Sequence, residues 1–314
     1  MPTVAILGAA GRIGGAASKA FVEAGWTVRG VARGAKADAL AAGVEPVRAD
    51  AFDRSALIAA CDGADVIVHA INPPYDKWRD TVMPLGETVV AAAEATGATV
   101  MIPGNVYNYG TGVSVDMDET MTARPDTEKG RIRVQLEALF ADAAAARGVR
   151  TIVIRAGDFF GGTAPGSWFD LIILKDLKKN RFVWPGPWDC VHALAYMPDL
   201  AETFVRVADK RAELDPFATL HFRGHAVTGN QVHKAAETAA GRPLKRGSVP
   251  WPLFRLVGVV NPVVREVARM AYLWRVPHWL DNGRLTALIG KEPHTALDEA
   301  IREAVSDLQL DPRR

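Results

Sequence analysis

The sequence predicts an α/β fold, in which a doubly wound parallel sheet is followed by a smaller carboxy-terminal region. Short β-branched apolar runs alternate with Ala-rich segments of helical period through the first half of the chain. That βαβα order favours a parallel sheet with helices on both faces. After about residue 159 the sequence changes to loops rich in Gly, Pro and Trp. The chain therefore divides into a first half with regular structure and a second half that shapes a separate region.

The predicted elements follow the apolar pattern. Strands are predicted at 4–7, 27–32, 45–48, 66–70, 99–103 and 151–155. Helices are predicted near 12–24, 35–42, 54–60, 78–96 and 128–146, and again near 231–241, 261–275 and 295–308. Gly25, Gly63, Gly97 and Gly148 stand where helices should end. We predict a nucleotide-binding domain at 1–160, with sheet elements recurring near 190–225, and a mainly substrate-binding region at 161–314.

Composition narrows the class of protein. The 314 residues carry 37 basic and 36 acidic side chains, so no nucleic-acid or membrane partner is expected from net charge. Cys61 and Cys190 are too few for a disulfide framework or a cysteine zinc site, which favours a reducing cytoplasm. The most apolar later stretch, 252–264, is interrupted and far too short to span a bilayer. A small-molecule partner and a monomer or homodimer are expected.

A glycine loop follows the first predicted strand. "VAILGAAGRIGGA" places Gly8, Gly11 and Gly14 between that strand and the next helix. Glycines there allow a tight turn and a close approach of the backbone to a pyrophosphate, which binds at the helix amino end. The loop therefore predicts a Rossmann-type dinucleotide site, with Ala10, Arg12 and Ile13 also beside the cofactor.

The GxxGxxG spacing resembles that of the extended and atypical short-chain dehydrogenases/reductases, the epimerase/dehydratase-like family. "VRADAFD" resembles the family's third-strand motif, which implies that Asp50 and Ala51 contact the adenine. "ADVIVHAINPP" resembles the fourth strand, which implies that Ala70, Ile71 and Asn72 run beside the cofactor. "AYMPDLAETFV" and "KEPHTALDEAIREAV" are similar to late segments of extended members.

The end of the second strand indicates which nicotinamide cofactor binds. NAD enzymes place Asp or Glu there to hold the ribose 2′-hydroxyl. This chain has "VRGVARG", with Arg33 and no carboxylate, and Arg12 offers a second cation for a 2′-phosphate. NADP is therefore expected, with NAD as the alternative. A plainer interpretation is that both arginines are solvated surface residues.

The segment "TEKGRIRVQLE" departs from the family pattern. The resemblance implies Tyr-x-x-x-Lys followed by a glutamate, and with Glu137 as that glutamate, Lys129 occupies the tyrosine position and Arg133 the lysine position. The usual catalytic tyrosine is absent. The same segment also resembles isoflavone-reductase-like enzymes, which use a lysine in this helix for proton transfer. Three interpretations of Lys129 remain: proton transfer, ribose binding alone, or surface exposure.

Other candidate residues follow the fifth strand and the later loops. Asn105 lies where the family has its catalytic serine or threonine, and Tyr107 is an alternative proton donor. His221 and His225 lack a third ligand, so no metal site is expected. The predicted substrate wall consists of Trp78, Tyr109, Phe159, Trp184, Trp188 and His192.

These observations predict an NAD(P)(H)-dependent oxidoreductase of the atypical extended type that acts on a small carbonyl or conjugated compound. The alternatives are a nucleotide-sugar epimerase or dehydratase, and a non-catalytic NADP sensor like the NmrA-type proteins.

Overall fold

The computed structural model describes residues 1–162 and 166–308. Its main sheet contains seven strands, and every pairing within it is parallel. They are β1 (Thr3–Leu7), β2 (Thr27–Ala32), β3 (Val44–Arg48), β4 (Val66–His69), β5 (Thr99–Gly104), β6 (Thr151–Arg155) and β10 (Phe217–His221). The spatial order is β3-β2-β1-β4-β5-β6-β10. The predicted parallel sheet is confirmed.

Helices cover both faces of this sheet. One face carries α1 (Arg12–Glu23), α5 (Met197–Asp209) and α9 (Gly283–Ile289), and the other carries α2 (Arg54–Cys61), α3 (Trp78–Thr96) and α4 (Glu128–Arg147). Alternate residues of one strand enter different cores: Val4 and Ile6 pack on the first face, Ala5 and Leu7 on the second. Strands buried on both faces read as continuous apolar runs, which explains the sequence pattern.

The smaller region contains two further sheets. One joins β7 (Asp158–Phe160), β9 (Val191–Tyr196) and β11 (His225–Thr228), and the other pairs β8 (Arg181–Trp184) with β12 (Lys245–Ser248). Its helices are α6 (Gly229–Ala240), α7 (Trp251–Val257), α8 (Pro262–Arg269) and α10 (Leu297–Asp307). Because β10 returns to the main sheet, the chain passes from the main sheet to the smaller region and back. The boundary at residue 160 stays a prediction.

Two predicted elements differ in the structure. The helix predicted at 35–42 is a short 3₁₀ turn, Gly34–Ala39, which ends where Leu40 becomes extended. The helix predicted at 261–275 is α8 followed by a 3₁₀ turn, Met270–Trp274. By contrast, Gly97 and Gly148 end their helices in the left-handed conformation, as predicted. No helix in the described part of the chain is long and apolar enough to cross a membrane.

The strand order creates a crevice beside β1. The chain runs outward from β1 to β2 and β3, then crosses to β4 on the opposite side of β1. In open parallel sheets, ligands bind at the carboxyl ends of the strands where the order reverses. The glycine loop and residues 70–72 both emerge at that point.

Candidate active site

The glycine loop is packed so tightly that side chains cannot replace two of its glycines. Gly8 has φ +80°, and a Cβ there would lie 3.2 Å from the backbone of Ile71. A Cβ on Gly14 would lie 2.2 Å from the carbonyl oxygen of Gly8. Helix α1 begins directly after Gly11, and no side chain caps it. Its first N–H groups therefore remain available to a phosphate, and the loop fits the pyrophosphate of a dinucleotide.

The two candidate arginines lie in different surroundings. Arg12 donates a hydrogen bond to the carbonyl of Gly161 at 3.1 Å and lies 3.5 Å from the carboxylate of Asp170. Arg33 is exposed and stands directly after β2, as the residue before the 3₁₀ turn. Arg12 thus holds the loop after β7, and Arg33 is the cation at the end of β2.

The other predicted cofactor residues lie at the same edge of the sheet. Ala70 donates to the carbonyl of Leu7 at 3.1 Å, and Ile71 rests against Gly8, so residues 70–72 flank the glycine loop. Asp50 is exposed, and its carboxylate accepts from the N–H of Phe52. Ala51 is buried, and its carbonyl accepts a hydrogen bond from the hydroxyl of Thr88 in α3. Whether these residues contact a cofactor stays a prediction.

Lys129 is buried in the first turn of α4. Its side chain is 4% exposed, and Nζ donates to the carbonyl of Tyr75 at 2.9 Å. Glu266 of α8 lies 3.2 Å from Nζ, and the amine also lies 4.6 Å from the ring of Tyr75. Surface exposure of Lys129 is therefore excluded.

The two like charges of α4 are accommodated by one indole. Lys129 Nζ lies 5.2 Å from the ring centroid of Trp78, and the guanidinium carbon of Arg133 lies 4.7 Å from it. Cations are attracted to the face of an aromatic ring, most strongly to that of Trp. Lys129 and Arg133 are four positions apart on α4, where like charges repel, and Trp78 and Glu266 together offset that repulsion.

Burial lowers the pKa of Lys129 below its ordinary value of 10.5, while Glu266 acts in the opposite direction and Arg269 adds to the lowering. The structure assigns this lowering first to the loss of water around the amine. Such a shift brings a lysine closer to the range in which general acid–base catalysis is effective.

A pair of tyrosines lies beside Lys129. The hydroxyls of Tyr75 and Tyr107 are 2.9 Å apart, and both side chains are largely enclosed. Burial raises the pKa of Tyr107 well above 10, and the charge of Asp158 adds to the effect. Burial also raises the pKa of Tyr272, which the same Asp158 influences. These phenols are therefore protonated at neutral pH, and Tyr75 and Tyr107 share one hydrogen bond in which either hydroxyl can be the donor.

Asn105 precedes the tyrosine and begins the 3₁₀ segment Val106–Gly112. Its side-chain oxygen accepts from the N–H of Tyr107 at 3.0 Å, which orients the amide nitrogen as a donor. Its carbonyl accepts from Arg155, and Arg155 pairs with Glu137 at 2.7 Å. Glu137, the residue that aligned the motif, thus ties α4 to β6.

The predicted substrate residues fall into two groups. Trp78 and His192 contact polar side chains already described: Trp78 lies under Lys129, and His192 bonds the carboxylate of Asp158 at 2.8 Å. The others pack elsewhere: Tyr109 is buried with its hydroxyl 3.3 Å from His221, Trp184 stacks on Phe182, Trp188 lies under Arg246, and Phe159 is half-buried. Contact of any of them with a substrate is untested.

Sequence reasoning missed Tyr75, Asp158, Glu266 and Tyr272. Tyr75 follows Asn72, the last predicted cofactor-binding residue of that segment, by three positions, so the sequence could have indicated that it lies near the site. Glu266 is 137 positions from Lys129, and nothing local in the sequence marks it as the partner of that amine.

His221 and His225, four positions apart in the sequence, lie in different surroundings. His221 bonds the carbonyl of Met117, whereas His225 lies with Asp199 and His294, whose candidate ligand atoms are all within 4.8 Å of one another. Asp199 already accepts two hydrogen bonds from Thr295. The expectation of no metal stays a prediction.

A parallel sheet with a glycine loop at the point where the strand order reverses is the arrangement of a dinucleotide-binding Rossmann fold. The model of the NAD dependent epimerase/dehydratase family matches residues 4–219, and the chain belongs to that family. The resemblance recognised in the glycine loop is confirmed, as is the use of a nicotinamide cofactor.

Solved structures share the fold over nearly the whole chain. A UDP-galactose 4-epimerase structure is 20% identical with a TM-score of 0.75, covering 98% of this chain and 99% of the other. The UDP-glucose 4-epimerase of Thermotoga maritima is 15% identical with a TM-score of 0.79 and the same coverage. At these identities the likeness concerns the fold.

A curated relative matches over a shorter segment. The NmrA-like family domain-containing oxidoreductase FrzB of Cladobotryum sp is 32% identical over 108 residues. The match spans 32% of this chain and 32% of that protein.

Proposed function

We propose that this chain is an NADP(H)-dependent oxidoreductase that reduces a small carbonyl or conjugated compound, with Lys129 as the proton donor. The observation that carries the proposal is the place of Lys129: a buried amine of lowered pKa stands where the family's tyrosine is expected. Its contacts with Tyr75, Trp78 and Glu266 hold it in one position. A fixed, desolvated acid is what proton transfer to a reacting oxygen requires.

The protein's own residues divide the work. Bound NADPH would supply the hydride. The ammonium of Lys129 gives a proton to the substrate oxygen as negative charge develops there, and becomes a neutral amine that solvent reprotonates. The amide nitrogen of Asn105 orients the oxygen by hydrogen bonding. The hydroxyl of Tyr107, held by Tyr75, is a second donor to the same region.

Cofactor choice follows from the end of β2. Arg33 is exposed there, and the strand ends without the carboxylate that would bind a ribose 2′-hydroxyl. A 2′-phosphate would be attracted to its guanidinium, so NADP is proposed, with NAD as the alternative. We expect the enzyme to act in the cytoplasm, as a monomer or homodimer.

Two other functions have specific support. A nucleotide-sugar epimerase or dehydratase is favoured by the fold likeness, since solved relatives include MoeE5 in complex with UDP-glucose and NAD. Its second diphosphate would need cations, for which Lys245, Arg246 and Arg255 are candidates, and these are divided between β12 and α7. An NADP sensor is favoured by the absent tyrosine, whereas the NmrA-like relative carries the name of an oxidoreductase.

Single-turnover kinetics separates these functions. Stopped-flow absorbance would follow NADPH oxidation with a panel of aldehydes, ketones and enones, using intact protein, Lys129→Met and Lys178→Met, the last as an exposed-lysine control. We expect oxidation with at least one compound, which Lys129→Met abolishes while NADPH affinity persists. A rate that returns to the intact value at saturating NADPH would mean that Lys129 only binds ribose. Oxidation by no compound would favour the sensor, and UDP-sugar turnover without net NADPH loss would favour the epimerase.

A further inference from the structure

The hairpin formed by α7 and α8 carries an exposed apolar surface. Ten large apolar side chains are exposed in the described part of the chain, and six of them lie between residues 253 and 263. We call this set the apolar tip: Leu253, Leu256, Val257, Val259, Val260 and Val263. Val259 and Val260, at the turn, are 74% and 84% exposed. Clustered exposed apolar residues mark an interaction surface, whereas single ones need no explanation.

A positively charged cleft lies beside the apolar tip. Arg255 of α7 and Arg265 and Arg269 of α8, with Ala268, line a cleft of about 300 Å³. All three arginines are exposed. The nearby carboxylate, Glu266, is buried and already pairs with Arg269 at 2.8 Å and Lys129 at 3.2 Å. The cleft therefore presents a net positive charge to whatever covers the tip.

We propose that the α7–α8 hairpin binds an anionic lipid surface, with the apolar tip in the headgroup–acyl boundary and the three arginines on lipid phosphates. Apolar residues combined with a basic rim are the arrangement of interfacial elements. The helices contain seven and eight residues, so the hairpin would lie on the bilayer and not cross it. The expectation of no membrane partner rested on net charge and span length, and neither measure tests for an interfacial hairpin.

Charge favours lipid over a second copy of the chain. A two-fold contact places the same patch on both subunits, so it would bring two arginine clefts together. Like charges facing one another across an interface oppose association. An anionic bilayer instead neutralises them, and each arginine near such a surface contributes about fivefold to binding.

The hairpin also links this surface to the candidate active site. Glu266 lies on the inner side of α8 and pairs with the buried amine of Lys129. The same helix contacts the Tyr75–Lys77 turn. A protein attached through this hairpin would therefore hold its candidate site close to the lipid.

Vesicle flotation tests the proposal. Intact protein would be mixed with phosphatidylcholine vesicles, with and without phosphatidylglycerol, at increasing salt. The variants are Val259→Ser/Val260→Ser for the tip, Arg255→Gln/Arg265→Gln for the cleft, and Leu171→Ser as a matched exposed apolar control. Circular dichroism would confirm that each variant is folded.

We expect the intact protein to bind only the vesicles that contain phosphatidylglycerol. Salt should weaken this binding, and Leu171→Ser should leave it unchanged. The tip variant should lose it, and the cleft variant should lose about 25-fold in affinity. Absence of binding to anionic vesicles would overturn the proposal, as would binding by the tip and cleft variants as tight as that of the intact protein. Release by inorganic phosphate at constant ionic strength would show a free-phosphate site instead. A change in sedimentation mass caused by the tip variant, without vesicle binding, would show an interface between two copies.

Discussion

Removal of the carboxylate of Glu266 should destabilise the protein more than removal of its partner amine. In Glu266→Gln, the buried ammonium of Lys129 loses the group 3.2 Å away, and Arg269 loses its partner at 2.8 Å. A buried ion left unpaired costs about 3–5 kcal/mol of unfolding free energy. In Lys129→Met, Glu266 keeps Arg269, and the new side chain lies on the rings of Tyr75 and Trp78. We expect a cost of about 1 kcal/mol there.

Urea unfolding at neutral pH measures both costs. The double variant should lose less than the sum of the single variants by about 1–3 kcal/mol, since the two side chains contact each other. Glu23→Gln provides a control, because its pair with Lys19 is 65% exposed on the glutamate side and should change stability by less than about 1 kcal/mol. If Glu266→Gln lowered the unfolding free energy no more than this control does, the pair of Glu266 and Lys129 would not stabilise the protein as we expect.

Three further predictions concern acid stability and the cofactor. Burial lowers the pKa of His69, His221, His225 and His278 from 6.5 to about 4. Their contribution to the unfolding free energy is complete above pH 6.5 and is lost as pH falls toward 4, by about 1.4 kcal/mol per pH unit for each histidine. Urea unfolding across that range should show the loss. Gly14→Ala, whose Cβ would meet Gly8, should weaken NADPH binding at least about tenfold by calorimetry. Arg33→Asp should shift the affinity ratio from NADPH toward NADH, and an unchanged ratio would remove Arg33 from the 2′-phosphate site.

The fold was predictable because its signals are local. Alternate residues of β1 pack into two different cores, so both faces of the strand are buried. Because both faces are buried, the strand is a continuous apolar run, which is typical of a parallel sheet. Left-handed glycines such as Gly97 ended helices where the sequence placed them. The failure at 35–42 is also local: an Ala-rich stretch of six residues has no capping side chain and forms only a 3₁₀ turn.

The site was predictable only in part, because its contacts are long-range. Position in a motif was enough to select Lys129, but its partner Glu266 comes from the carboxy-terminal hairpin. The place of Arg12 in the glycine loop predicts a phosphate contact, which stays a prediction, and nothing local shows that its guanidinium also contacts the distant Gly161 and Asp170. The aromatic character of Trp184 fits a substrate pocket and a core position equally, and the structure shows that its side chain is buried, while contact with a substrate stays a prediction.

The pH dependence of hydride transfer in Glu266→Gln tests the role of Lys129 most directly. If the ammonium of Lys129 donates the proton, the single-turnover rate of NADPH oxidation falls as pH rises through the lysine pKa. Glu266 raises that pKa, so its loss should move the inflection to lower pH. Our account predicts this shift at unchanged cofactor affinity. An inflection at the same pH in both proteins would contradict it and assign the proton to another group.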